Sequence, residues 1–223
     1  AILFNLAGEL IGFKGREWQH AANPNYQGAL DFDVKANWLS LVQSIREVMV
    51  ETAVTADEVK AISITSMRHG MVCYDGKGCS IAAYPNADAR AEDEVKWLIQ
   101  TGIAKQIYKI GGDWPSVHDV ARLLWLKKNQ PDLFSRIDRF TMLEGWPIVR
   151  LCGAYVSDPS SASSSGLFDV TRRCWSDEII AACDLPRGIF PEIVNAGDKV
   201  GELGFEIAGE LGLSVNTPII MAG

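Results

Sequence analysis

Between Ser63 and Arg90 short apolar runs are broken by two polar corners, and this alternation is what most limits the fold. Ser63-Ile-Thr-Ser runs into Met67-Arg68-His69-Gly70, Met71-Val-Cys-Tyr follows, Asp75-Gly76-Lys77-Gly78 turns the chain, and Asn86-Ala-Asp-Ala-Arg90 opens an acidic helix. Branched, apolar runs punctuated by glycine turns read as strands, and a helix directly behind them makes the chain α/β. The corners carry chemistry that the runs do not. Arg68 supplies planar donors, His69 a titratable ring and Asn86 an amide, a set suited to holding a small polyhydroxylated ligand by directional hydrogen bonds. A glycine-flanked Arg-His pair between strands also occurs as a plain turn with a surface cation, and both readings stand at this point.

The rest of the chain supports the same class. Ile2 to Leu6 and Leu10 to Trp18 flank Ala7-Gly8-Glu9 as a hairpin. Asp33 caps a helix whose Val34, Trp38, Val42, Ile45 and Met49 recur at three-to-four spacing through about Glu51. Val59 to Thr65 and Met71 to Tyr74 are strands. Asp88 is expected to cap a helix from Glu92 to Gly102, and a further helix spans Val117 to Asn129 and stops before Pro131. Ile137 to Met142 reads as a strand, and Glu144 to Leu151 as a helix with Pro147 in its first turn and Gly153 closing it. Helices over Ser176 to Cys183 and Phe205 to Leu211 precede a last strand, Thr217-Pro-Ile-Ile-Met. A mixed sheet of about five strands flanked by helices is the expected architecture. The run Asp158-Pro-Ser-Ser-Ala-Ser-Ser-Ser-Gly166 would pass on composition alone for a flexible linker, although Leu167-Phe-Asp-Val behind it argues for order.

Composition narrows the partners. The net charge of -7 is the wrong sign for a nucleic-acid surface, so small molecules are the expected partners. The five cysteines form no Cys-x-x-Cys pair and keep no metal-ligand rhythm with the three histidines, which fits reduced thiols in a cytoplasmic protein and no structural zinc. The chain opens on Ala1-Ile-Leu-Phe without methionine or a basic leader and closes on Met221-Ala-Gly, so both termini read as cut from something longer. Neither G-x-x-x-x-G-K nor G-x-G-x-x-G occurs, which removes P-loop and dinucleotide readings. No carboxylate cluster with a basic surface suggests a nuclease.

Several separate segments then point one way. Gly15-Arg-Glu-Trp18, Trp38, Ser66-Met-Arg-His-Gly70, Asn86-Ala-Asp-Ala-Arg90, Leu123-Leu-Trp-Leu126 with Asn129, Asp158-Pro-Ser-Ser-Ala-Ser163 with Leu167-Phe-Asp169, Trp175, Gly201-Glu-Leu-Gly204, Gly212-Leu213 and Thr217-Pro-Ile-Ile-Met-Ala-Gly223 stand in an order and spacing that resembles the FGGY carbohydrate kinases over nearly the whole chain. Among the subgroups the residues look most like the autoinducer-2 kinases, which share Asn86, the Asp-Ala-Arg after it and Ser-Met-Arg before the first corner, but carry glutamate where this chain has His69.

The resemblance implies an α/β, ribonuclease H-like domain of the actin and hexokinase kind, with a mixed β-sheet flanked by helices. Residues 1–223 would be the N-terminal, sugar-binding lobe of a two-lobe enzyme that moves the γ-phosphoryl of ATP, with Mg2+, to a sugar or polyol hydroxyl. The family's Asp-x-Gly-Thr phosphate loop, its catalytic aspartate loop and its nucleotide lobe have no counterpart within these residues. No residue is therefore assigned as catalytic base, and the chain alone is expected to be inactive. Arg68 and His69 would face the sugar, Asn86 stands where glycerol kinases place an aromatic wall, and Asp88 would lie beside the sugar while also capping a helix. The serine run becomes an ordered motif in which Asp158 binds backbone amides. His118 and Ser116 read as an exposed helix start, with a pocket edge as the family alternative. A non-catalytic sugar sensor or scaffold is the rival function, and homodimerisation is left open.

Overall fold

The computed structural model describes residues 1–116 and 118–223. In chain order, β1 (Ile2–Phe4) and β2 (Leu10–Phe13) form the expected hairpin, and β3 (His20–Ala22) and β4 (Leu30–Phe32) form a second one that the alternation did not announce. Helix α1 (Val34–Thr52) starts at Asp33, whose carboxylate accepts from the Lys35 and Ala36 amides. Two free N–H groups are thereby satisfied at its first turn. Trp38, Val42 and Met49 are buried as the spacing requires, with Val34 and Ile45 half-buried. Asn37 is buried on the same helix because its amide exchanges two hydrogen bonds with the backbone of Gln19, at 2.6 and 2.7 Å.

Strand β5 (Ile62–Ile64) precedes β6 (Met71–Tyr74) and β7 (Ser80–Tyr84). All four residues of β6 are buried, and they alternate between two cores: Met71 and Cys73 face one, Val72 and Tyr74 the other. A strand covered on both faces must read as an unbroken apolar run. The first core lies against α2 (Glu92–Gln100), α3 (Ile103–Gly111) and α4 (Asp119–Asn129). Helix α3 escaped the sequence reading because Gly102 and Gly112, both at positive φ, bracket it so closely that it passes for a loop. Val117, expected as the first residue of α4, lies outside the described residues.

After α5 (Pro131–Phe134) come β8 (Arg139–Met142), α6 (Gly145–Cys152), β9 (Val156–Ser157) and α7 (Pro159–Ser163). Next are β10 (Phe168–Asp169), β11 (Cys174–Trp175), α8 (Asp177–Ala182), β12 (Glu192–Ile193), β13 (Lys199–Glu202), α9 (Phe205–Leu211) and β14 (Pro218–Met221). The second core joins α1, α6, α9 and β14 and includes Trp38, Trp146, Leu211 and Ile219. Each large apolar side chain so buried contributes about 1.5–3 kcal/mol against exposure.

One continuous five-stranded sheet is not what these strands build. They pair as β7-β6-β8, all antiparallel, and as β13-β14-β5, where β14 runs parallel to β5 and antiparallel to β13, with the remaining strands in two-stranded ladders. The mixed character holds, but irregularities at Leu3/Phe4, Cys73/Tyr74 and Lys199/Gly201 break the register and keep the ladders short. The serine run is ordered. It forms α7, capped by Asp158 through the Ser160 and Ser161 amides, and Ser157, Ala162, Ser164 and Ser165 are buried.

Candidate functional site

The two polar corners meet at one guanidinium. Arg122, in the middle of α4 and 1% exposed, donates from Nη1 to the carbonyl of His69 and from Nη2 to the carbonyls of Pro85, Asn86 and Asp88 at 2.9–3.1 Å. Its Nε donates to Asp88 Oδ2 at 3.1 Å, and its Nη1 also lies 3.1 Å from Asp119 Oδ1. A planar cation with donors in a fixed fork is the one side chain that can bind several carbonyls and two carboxylates together. Arg122 was missed in the sequence because it stands inside Ala-Arg-Leu-Leu-Trp-Leu. A charge in so apolar a stretch was the available signal.

Asp88 does not do the capping expected of it. Helix α2 begins at Glu92 with Ala91 before it, so Asp88 is not its cap. Its side chain has no exposed surface, and its carboxylate accepts from the Leu30 amide and Arg90 Nε at 2.8 Å as well as from Arg122. Enclosed between two cations, the carboxylate holds the second corner in place. Arg90 completes that cluster: it bonds Asp31 Oδ1 at 2.6 Å and the Leu30 carbonyl at 2.7 Å, and its guanidinium lies 3.9 Å from the centre of the Tyr84 ring. Asp119, wholly buried, has its carboxyl raised by burial against the opposing pull of Arg122 and His69.

The other expected residues remain open. Arg68 and Asn86 are exposed, and neither side chain hydrogen-bonds another described residue. His69 is half-buried at φ 63°, a left-handed backbone that a non-glycine residue adopts only where its surroundings hold it there. Its ring Nδ1 lies 2.9 Å from the carbonyl of Ser164, and its face stacks on His118 with ring centres 5.0 Å apart and planes 20° from parallel.

His118 is thus not an exposed helix start. It is 2% exposed, and Nε2 lies 3.3 Å from Asp113 Oδ2 while Nδ1 has no partner among the described residues. Burial, with His69 beside it, pushes its pKa down to about 4 against the opposing pull of Asp113. The ring is therefore neutral at neutral pH. Ser116 is exposed.

Glu144, just before α6, was read only as a helix start. It is buried, accepts from Ser157 Oγ at 2.9 Å, and burial pushes its carboxyl up to about 7. No group of three or more His, Cys, Asp or Glu able to hold a metal ion occurs among the described residues. A separate cavity of about 300 Å³, lined by Asn23, Asp31, Ile81, Tyr84, Arg90 and Gln130 among others, touches the far partners of Arg90 but includes none of Arg68, His69 and Asn86. Because a hydrogen-bonding ligand needs free polar groups, we take the corners rather than this cavity as the candidate site.

Comparison with known proteins agrees over the whole chain. Residues 1–223 match the model of the N-terminal domain of the FGGY family of carbohydrate kinases. The chain is 34% identical over 226 residues to an autoinducer-2 kinase of Salmonella typhimurium and 33% identical to one of Yersinia enterocolitica, covering 100% of this chain and 43% of each relative. It therefore spans less than half the length of the curated relatives it matches. Among solved structures it resembles a xylulose kinase (TM-score 0.91, 20% identity) and a gluconate kinase (TM-score 0.90, 21% identity), both of Lactobacillus acidophilus, covering 100% of this chain and 45% and 44% of theirs. These likenesses establish the fold as the α/β, ribonuclease H-like one that the sequence resemblance implied.

Proposed function

The chain belongs to the FGGY family of carbohydrate kinases, and from that premise we propose that it is the N-terminal, sugar-binding lobe of an ATP-dependent kinase acting on a hydroxyl of a small sugar, polyol or linear carbonyl compound. The observation that carries the reading is Arg122, whose single guanidinium holds the backbones of His69 and Asn86 and so gathers two corners remote in sequence into one place. There the chain offers donors from Arg68, a ring nitrogen from His69 and an amide from Asn86, the mixture of polarity that successive hydroxyl groups need. Asp88 acts behind them by neutralising Arg90 and Arg122.

ATP, and the magnesium that supplies charge neutralisation when bound to it, belong to the whole protein. The described residues here include no cluster that would hold the metal, and the work of this chain is to bind and orient the acceptor. The autoinducer-2 kinase relatives, together with the absence of an aromatic side chain at Asn86, favour a linear or ketose-like acceptor of about four to six carbons over glycerol, with open-chain autoinducer-2 the first candidate. We place the protein in the cytoplasm, where ATP and phosphorylated sugars are kept. No helix among the described residues is long and apolar enough to cross a membrane.

The experiment is a panel of sugars and polyols offered with ATP to the full-length protein, followed by product phosphate analysis. A four- to six-carbon acceptor should give the highest kcat/KM. Glycerol as best substrate would remove the specificity reading, and turnover of no acceptor would favour the sugar-sensing alternative.

A further inference from the structure

His69 has three of its four handles fixed by protein. Its backbone carbonyl accepts from Arg122, its Nδ1 faces the Ser164 carbonyl at 2.9 Å, and one ring face lies on His118. A carbonyl oxygen can only accept, so Nδ1 must carry the hydrogen. In a neutral imidazole the other nitrogen, Nε2, is then a bare lone pair. Nε2 makes no hydrogen bond to any described residue.

His118 is arranged to preserve that state. Burial keeps the His118 ring neutral and Asp113 accepts from its Nε2, so its lone pair is at Nδ1, enclosed against Gly166: a Cβ on Gly166 would stand 3.3 Å from that nitrogen. A neutral ring can stack on His69 without charge repulsion and without competing for the Ser164 carbonyl. The carbonyl itself comes from the end of the serine run, just past α7, so Asp158 and Ser157 set the position of a group that faces His69.

Resting on the reading that His69 meets the acceptor sugar, we propose that Ser164 and His118 lock His69 as a hydrogen-bond acceptor at Nε2, so that the site selects a ligand that donates a hydroxyl proton there. His118 is a positioning residue in this scheme. Arg68 and Asn86 can donate to oxygen of any kind, whereas His69 tells a hydroxyl from an ether, a carbonyl or a fluorine.

The test uses full-length protein labelled with 15N in histidine, its ring signals assigned with His69→Gln and His118→Gln. In the neutral ring without ligand, His69 should carry its hydrogen on Nδ1 and be bare at Nε2, and His118 the reverse. His118→Phe keeps a ring against His69 and should leave its signals in place, while His118→Ala should let His69 average between tautomers. In steady-state kinetics His118→Ala should raise the sugar KM about tenfold with kcat within about twofold and the ATP KM unmoved, and His118→Phe should restore the sugar KM. A His69 proton on Nε2, or an unchanged tautomer in His118→Ala, overturns the proposal. Should His118→Ala fail to fold, analogues of the best substrate with each hydroxyl in turn replaced by fluorine decide it. One position should lose about tenfold in kcat/KM with the wild type and far less with His69→Ala, and tolerance of fluorine at every position overturns the proposal. If the wild type phosphorylates no acceptor, the proposed function falls, and the ring-nitrogen spectra still decide this inference.

Discussion

The corners at 67–70 and 86–90 each carry an arginine among polar neighbours, and the structure treats the two arginines in opposite ways. In the second corner Arg90 and Asp88 are buried and spend their bonding capacity on each other, on Asp31 and on Arg122. In the first, Arg68 is exposed and His69 is held by its backbone and one ring nitrogen. The difference teaches that residue type does not tell a scaffold ion from a functional one. What tells them apart is whether the surrounding elements have already satisfied the group.

That contrast can be broken most directly at Arg122. Replacing it with methionine of similar length would strand Asp119 without its cation and leave Asp88 with Arg90 alone, and thermal and denaturant unfolding of the full-length protein should register a loss of about 3–5 kcal/mol in this lobe. A loss under about 1 kcal/mol would mean that the buried cluster is not structural.

Glu144 sharpens the comparison, being as buried as Asp88 but facing the Ser157 hydroxyl where Asp88 has guanidinium partners. Its folded pKa, about 7, lies above the ordinary 4.5, so below 4.5 it is neutral in both folded and unfolded chains and costs nothing. Stability is lost as pH rises from that point toward 7, because the unfolded chain ionises first. Glu144→Gln should therefore match the wild type at low pH and exceed it above neutrality by on the order of 3 kcal/mol. His118 works with the opposite sign: its folded pKa, about 4, lies below the ordinary 6.5, so its contribution grows as pH rises between those values. Stability measured across pH in wild type, Glu144→Gln and His118→Phe separates the two slopes.

At the open corner the effect should appear in binding and leave folding alone. His69→Ala removes the nitrogen proposed to meet the ligand and should cost about 1–3 kcal/mol in sugar kcat/KM, with the ATP KM nearly unchanged. A variant equal to wild type on every acceptor would detach His69 from the site. The smallest expected effect on stability is that of Arg68→Ala, within about 0.5 kcal/mol because the side chain is exposed and bonds no other described residue, so a larger fall would show that the two corners are more alike than their burial says.

Much of the fold was legible because period and punctuation are local. Asp33 before a three-to-four apolar stripe gave α1, Gly153 gave the end of α6, and the fully apolar Met71–Tyr74 gave a strand. The short hairpin of β3 and β4 was not legible, since His20-Ala-Ala and Leu30-Asp-Phe carry no alternation of their own and are strands only because they pair. The linker reading of the serine run failed for a related reason. Five serines in a run solvate well, yet here their hydroxyls and amides are satisfied by Asp158, by neighbouring carbonyls of the run and by the Leu167 backbone, which lets the segment be buried.

By itself the sequence determined the fold class, the family and the two corners, because capping residues, apolar period and motif spacing act over a few residues and need no partner elsewhere. Only the tertiary structure decided what each polar group is for. Asp88, Arg90 and Arg122 became scaffold and His118 became a buried ring against His69, because burial and hydrogen-bond satisfaction are set by neighbours 34 to 60 residues away, in pairs such as Arg90 with Leu30, Arg122 with Asp88 and His69 with His118. A group's desolvation cost is fixed by what surrounds it in space, and no local pattern in the chain encodes that.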